Sequence, residues 1–408
     1  MTNDSAIWIT GVGAVTPLGA SFGEISEALL SGTSAIREVT GFDASQHPCR
    51  IGGQIGQVEC PPELCHDQTF AERSPMEQAA LWSSARALTD AGLWQNRRSL
   101  RIGLLLGLGT EWMHRWNRDW ERGGTLLHDP TVEHVPMAER VRDELGLSGP
   151  AIALAAACAS GNHAFAQALR WLRRGWVDVC LAGAADMSID GRSMATFGNL
   201  RALSRKNDQP ATALRPFDRD RDGMVIGEGG AVFVLERAPD ARRRRARPLG
   251  ELAGVGCTSD AHHLVIPAAE PVQAAEALRQ ALATAQVNPD DVDYVNAHAT
   301  GTPVGDVCEA RMLQTVFGSH CDRLPVSASK SMTGHLLGAA AAVEALACLT
   351  AIRYGAIPPT LNLDHPDPRC QLDHVAHQAR ECRVRVAVSN SFGFGGHNTS
   401  LVLKQVAA

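Results

Sequence analysis

Along this chain the apolar positions switch between two rhythms. Residues 6–15 run through β-branched and small side chains and stop at Thr16-Pro17-Leu18-Gly19, which predicts a strand closed by a turn. Residues 24–30 and 76–91 take up the helical period, the second stretch ending at Gly92. Residues 101–109 and 151–157 are apolar runs of the length of a buried strand, residues 160–176 read as a helix around Gly175, and residues 177–182 as a strand. Strands and helices therefore alternate, which predicts an α/β protein built as a layered sandwich.

A polar, proline-containing loop spans residues 203–223, and residues 231–236 return to a strand pattern. The run Arg242-Arg243-Arg244-Arg245-Ala246-Arg247 lies between Glu236 and Glu251, so it reads as a solvated helix end or linker and divides the chain into halves 1–248 and 249–408. In the second half, residues 250–257 predict a strand, 272–285 a helix and 292–296 a short strand. Residues 336–353 predict a buried helix, because Glu344 interrupts an apolar stretch too short for a membrane span. The second half repeats the first in kind, without a recognisable sequence repeat.

Composition removes several classes of function. Hydrophobic residues at 45% and charged residues at 20% describe a folding chain, and a net charge of −6 provides no field to hold a nucleic acid. The eleven cysteines follow no secretory pattern, which predicts a reduced, cytoplasmic protein away from any membrane. Only Lys206, Lys330 and Lys404 are lysines in a chain whose other basic residues are arginines.

Three motifs lead nowhere. Gly11-Val12-Gly13 half-resembles a dinucleotide fingerprint, but Thr16 stands where the third glycine belongs. Asp218 to Gly223 opens like a calcium loop, but the closing carboxylate position falls on Gly229. Cys60, Cys65 and His66 lack a second ligand pair, so no metal site is expected.

Cys158 differs. Ala155-Ala156-Ala157-Cys158-Ala159-Ser160-Gly161 joins a buried strand to a helix start, the geometry of a nucleophile elbow, where helix-end charge should acidify a thiol and a backbone amide can face an oxyanion. Three further segments hold groups that acyl chemistry could use, though each alone is equally compatible with a structural role: Asn296 to Pro303 with His298, Thr300 and Thr302; Ser329 to His335 with Lys330; and Asn390 to Asn398, which is rich in glycine around Phe394. His335 should be a neutral donor at the start of the buried helix, and Lys330 should pair with Glu309 or Glu344.

In this order, together with Ile9 to Gly13, Arg215-Pro216-Phe217-Asp218 and Arg221-Asp222-Gly223, the segments resemble the elongating β-ketoacyl-acyl carrier protein synthases, over nearly the whole chain. The resemblance implies the thiolase fold, two similar halves forming a five-layered α-β-α-β-α sandwich. It implies that Cys158 takes an acyl chain from the phosphopantetheine arm of an acyl carrier protein, with no bound cofactor. The amides of Cys158 and Phe394 would hold the oxyanion, and Phe394 would also act as a gate. His298 and His335 would stabilise the malonyl-derived enolate, Lys330 with Glu309 or Glu344 would orient His335, and Thr300 and Thr302 would bind the pantetheine.

The chain also departs from that family. Leu264 to Pro267 replaces hydroxyl residues beside the arm, Arg73 and Lys206 are the docking cations that remain, and residues 129–134 offer none. Thr110 takes a position that sets chain length. Trp112, Trp116 and Trp120 form a stripe that reads as core or dimer contact, with Trp112 also a candidate wall of the acyl pocket. These departures favour a specialised polyketide or polyene product over housekeeping fatty acid synthesis. The working form is expected to be a homodimer or a heterodimer with another ketosynthase-like subunit. The alternative is a non-catalytic chain-length partner, which the retained Cys158 and histidines oppose. A thiolase would carry a second cysteine within residues 390–398, where there is none.

Overall fold

Every position of the first strand, Ile7–Val15 (β1), is buried. A strand covered on both faces must lie between two layers, and its neighbours show which. The computed structural model describes residues 6–65, 69–125, 127–129 and 134–406. The other strands of the main sheet are Ile102–Gly107 (β2), Ala151–Leu154 (β3), Val179–Asp186 (β4), Gly229–Arg237 (β5), Gly250–Ser259 (β6), Tyr294–Asn296 (β7), Pro325–Ser327 (β8), Asp373–His374 (β9), Val386–Gly393 (β10) and His397–Lys404 (β11). Their order is β9-β8-β7-β10-β11-β6-β1-β5-β4-β2-β3.

The order contains a duplication. In each half the first strand pairs antiparallel with the last, β1 with β5 and β6 with β11. The last pairs antiparallel with the strand before it, β5 with β4 and β11 with β10. That strand runs parallel to the second of its half, and the second parallel to the third, giving β4-β2-β3 and β10-β7-β8. The halves meet through a short β1–β6 ladder, Trp8 with Glu251 and Ile9 with Gly250.

Of the helices Pro75–Asp90 (α1), Glu111–Glu121 (α2), Ser160–Arg173 (α3), Val272–Ala285 (α4), Gly305–Phe317 (α5) and Ala340–Tyr354 (α6), all but α2 complete the layers. Alternate strand residues face different cores. Phe233 and Leu235 of β5 and Leu401 and Leu403 of β11 pack with α3 and α6 in one central cluster. Val232 and Val234 face α1, whereas Val402 and Val388 face α4 and α5. The layers are therefore α1, sheet, α3 with α6, sheet, and α4 with α5: the five-layered thiolase fold. The stretch Leu337–Tyr354 is long and apolar enough to cross a membrane, yet 89% of it is buried inside the protein as the central helix.

The glycines of the rejected nucleotide motif have a packing role that recurs in the second half. A methyl on Gly13 would lie 2.1 Å from the Ser83 carbonyl of α1, and one on Gly256 would lie 1.9 Å from the Ala277 carbonyl of α4. Each half thus brings its outer helix against its first strand where only glycine fits.

Three local expectations change. The polybasic run does end a helix, Ala238–Arg243, but it is not simply solvated: Arg244 pairs with buried Glu236, and the Arg242 guanidinium sits 4.5 Å over the Trp8 ring. The helix expected over residues 336–353 begins as a 3-10 turn, Leu337–Ala339, where the Gly338 amide donates to buried Asp186 at 3.0 Å. The tryptophan stripe is not core, since Trp112, Trp116 and Trp120 on α2 are all exposed.

Candidate active site

Cys158 lies between β3 and α3 on a strained elbow. Ala157 before it takes a left-handed φ of 48°, unusual for a residue with a Cβ, and the Ser160 hydroxyl holds the turn by bonding the Ala156 amide at 2.9 Å and the Ala157 carbonyl at 2.6 Å. The Cys158 carbonyl accepts from the Ser391 hydroxyl of β10 at 2.8 Å. Gly393 closes the approach from the same strand, because a methyl there would lie 2.6 Å from the Ala156 carbonyl oxygen and 3.2 Å from the Cys158 nitrogen. The Phe394 ring follows, with its centroid 6.4 Å from that of Phe197.

Both histidines come from the second half. His335 Nε2 stands 3.1 Å from the Cys158 sulfur, and the His298 ring meets the His335 ring edge-on at 5.3 Å between centroids. Lys330 Nζ donates to the Glu344 carboxylate and lies 3.3 Å from His298 Nδ1. A lysine amino group bonded in this way is the donor, so His298 Nδ1 accepts and its ring proton is on Nε2. This corrects the expectation that Lys330 orients His335: its imidazole partner is His298.

Glu309 and Glu344 do different work. Glu309 accepts the backbone amides of His298 at 2.9 Å and Ala299 at 2.7 Å, and the Asn390 side chain at 3.1 Å, so it shapes the loop that carries His298. Glu344 is the ion partner of Lys330, and both are buried. Burial raises both carboxyls to about 7, with Lys330 pulling each back down.

Burial governs the remaining groups as well. It pushes the Cys158 thiol up to about 12 despite nearby Lys330, which corrects the expectation of a thiol acidified by the helix end. His298 and His335 are held well below the usual histidine range, first by burial and then by Lys330. Burial therefore works against the charged form of the thiol and of both imidazoles.

A cavity of about 400 Å³ runs from Cys158, His298 and His335 past Thr300 and Thr302 to the surface. The two threonine hydroxyls are 3.2 Å apart. Val265, Ile266 and Pro267 of the altered loop line it as well, held by His263 Nδ1, which accepts the amides of Val265 at 3.0 Å and Ile266 at 3.1 Å. Sequence reasoning passed over His263, Arg201 and Phe197, all on the cavity wall, and the anchoring roles of Asn390 and Ser391. The signal for the last two was present: polar residues in an apolar strand must find buried partners.

Four candidate residues lie elsewhere. Thr110 is buried with its hydroxyl bonded to Asp186 at 3.0 Å, and neither it nor exposed Trp112 lines the cavity. Arg73 is paired with Glu144, Lys206 Nζ donates to the Asp220 carbonyl, and neither lines the cavity. Of the dismissed metal motifs, Asp218 pairs with Arg215 at 3.2 Å and Cys60 bonds the Leu64 carbonyl at 3.3 Å, whereas His66 lies outside the described residues, as do residues 130–133 of the stretch without docking cations.

Comparisons with known proteins identify the family. Residues 4–241 match the N-terminal domain of the beta-ketoacyl synthases and residues 249–364 their C-terminal domain. The chain is 38% identical to the 3-oxoacyl-[acyl-carrier-protein] synthase 2 of Synechocystis, covering 97% of both chains, and 37% identical to a putative polyketide beta-ketoacyl synthase 1 of Streptomyces halstedii, again covering 97% of both. Among solved structures, the ishigamide ketosynthase/chain length factor superposes with a TM-score of 0.87 at 30% identity, over 98% of this chain and 99% of that one.

Proposed function

Because the chain belongs to the β-ketoacyl synthase family, we propose that Cys158 is its acyl-carrying nucleophile and that His298 and His335 are donors to the enolate of the second substrate. The protein is an acyltransferase of the 3-oxoacyl-acyl carrier protein synthase kind, condensing an acyl chain with a malonyl carrier thioester in fatty acid or polyketide biosynthesis. The observation that carries the assignment of roles is the 3.1 Å contact between the Cys158 sulfur and His335 Nε2 at the inner end of the cavity.

In loading, the Cys158 sulfur attacks the acyl thioester carbon and its proton leaves toward His335. The tetrahedral oxyanion takes hydrogen bonds from the backbone amides of Cys158 and Phe394, and its collapse expels the pantetheine thiolate, which takes a proton from water and leaves His335 holding the Cys158 proton. In condensation, the C–C bond to the malonyl carboxylate breaks, carbon dioxide leaves, and the electron pair becomes an enolate. Its oxygen is held by the ring N–H groups of His298 and His335. The enolate carbon then attacks the acyl-Cys158 carbon, the C–S bond breaks, and the sulfur regains from His335 the proton it gave up in loading as the β-ketoacyl thioester departs on its carrier.

Lys330 and Glu344 position His298, and Glu309 positions the loop that carries it. Thr300 and Thr302 bind the pantetheine arm. The step needs no resident cofactor, since nucleophile, donors and leaving groups come from side chains and substrate. We read the working form as a cytoplasmic dimer, of two copies or of this chain with a ketosynthase-like partner. A non-catalytic chain-length partner has no use for a cysteine in contact with one buried histidine and a lysine in contact with a second beside it. Intact-mass analysis after exposure to an acyl carrier thioester tests the assignment. One acyl group should appear, on the peptide containing Cys158, and none on Cys158→Ala; acylation elsewhere overturns it.

A further inference from the structure

The cavity opens through a rim of apolar side chains from three separate elements. Leu200 follows the helix Gly191–Asn199, Ile266 lies in the loop after β6, and Val304 stands just before α5; each lines the cavity, and they are 46%, 51% and 50% exposed. Leu264 and Val272, next in sequence to the lining residues Val265 and Pro271, are 78% and 63% exposed. Arg201, Asp260 and the buried Glu309 are the only aspartate, glutamate, lysine or arginine side chains among the described residues that line the cavity. Arg73 and Lys206, the cations that the sequence suggested for docking, are engaged by Glu144 and by the Asp220 carbonyl.

Apolar side chains gathered around one opening, with so little charge among them, mark an interaction site rather than a solvated face. The occupant follows from the channel. An arm that delivers a thioester to Cys158 enters here, so the protein bearing that arm rests on the rim. We propose that this synthase recognises its acyl carrier protein chiefly by apolar contact at Leu200, Leu264, Ile266, Val272 and Val304, and that the carrier offers apolar side chains around its phosphopantetheine attachment. The inference rests on the condensing function and specifies the partner for the same site.

Screening by salt separates the two kinds of recognition, because charge-guided association weakens steeply with ionic strength and apolar contact does not. The measurement is KM for malonyl-acyl carrier protein from low to moderate salt, with malonyl-pantetheine as the carrier-free counterpart and the acyl donor supplied as a pantetheine thioester in both arms. KM for the carrier form should change less than about twofold across the range. Leu264→Asp, which places a charge outside the cavity, should raise that KM about tenfold or more while turnover of malonyl-pantetheine stays within about twofold, and Leu264→Met should behave like the unaltered enzyme. A steep salt dependence with Arg201→Ala as damaging as Leu264→Asp would overturn the proposal, as would an unchanged KM in Leu264→Asp. Failure of the unaltered enzyme to turn over either malonyl thioester would instead overturn the condensing function on which the proposal rests.

Discussion

The two halves place different chemistry at one topological position. In the first, β3 leads to the central helix α3 through residues 155–159, a tight elbow with a left-handed Ala157 that fixes the Cys158 sulfur. In the second, β8 leads to the central helix α6 through residues 328–339, long enough to hold a short turn with Lys330, the His335 ring and a 3-10 segment. A nucleophile needs one fixed atom, and a short strained connection supplies it. A donor set needs orientation and a defined tautomer, which calls for a longer connection with its own ion pair. Burial raises the thiol and lowers the His335 imidazole, and likewise that of His298 on the loop after β7, so the charged form of each is disfavoured.

The sharpest way to break this division of labour is Cys158→Ala. It should lower condensation by on the order of 10⁴-fold or more, as loss of a nucleophile does, and leave the thermal midpoint nearly unchanged. Next come the donors. His298→Ala and His335→Ala should each slow condensation by about 10²- to 10³-fold. They should differ in loading: His335→Ala slows acylation of Cys158, whose sulfur it touches, whereas His298→Ala leaves it near normal. Single-turnover acylation followed by mass spectrometry distinguishes them, and equal loading defects would contradict the geometry.

Lys330→Ala should condense like His298→Ala rather than like His335→Ala. It should also destabilise the fold by about 3 to 5 kcal/mol, because it strands the buried Glu344 carboxyl. The double variant Lys330→Met, Glu344→Leu should recover much of the melting temperature without recovering condensation. Recovery of both would mean that the pair is only structural.

The protonation of the thiol can be read from alkylation. With the Cys158 thiol pushed up to about 12, its reaction with iodoacetamide should keep accelerating with pH from neutrality past 9, followed by peptide mapping to separate it from exposed Cys65. A plateau below pH 8 would show a thiolate at rest. The smallest effect belongs to the first half. Thr110→Val removes a donor from buried Asp186 and should cost about 1 to 2 kcal/mol in thermal unfolding, with chain-length preference unchanged. A shift in that preference would bring Thr110 back to the acyl pocket.

Much of this architecture is readable from local pattern. Burial on both faces leaves continuous apolar runs, so strands such as β2 and β4, and the all-round apolar helix α6, are visible without a structure. The segments around Cys158, His298, Lys330 and His335 were equally visible as small-residue loops carrying reactive side chains. The repeat of the halves was visible only as a likeness in kind, because strand order is a long-range property and the duplication survives in pairing rather than in sequence.

What tertiary structure alone decided is which groups touch and in what dielectric. Sequence spacing puts Lys330 five residues from His335, yet folding turns its amino group to His298 and Glu344. A helix terminus alone suggested an acidic thiol, but packing removes the water that would stabilise the thiolate, and desolvation outweighs the neighbouring charge. Thr110, Arg73 and Lys206 looked available because nothing in their neighbourhood names Asp186, Glu144 or the Asp220 carbonyl as a partner. Residue type sets the chemistry that a side chain can perform. Contacts between residues far apart in the chain determine whether it is free to perform it.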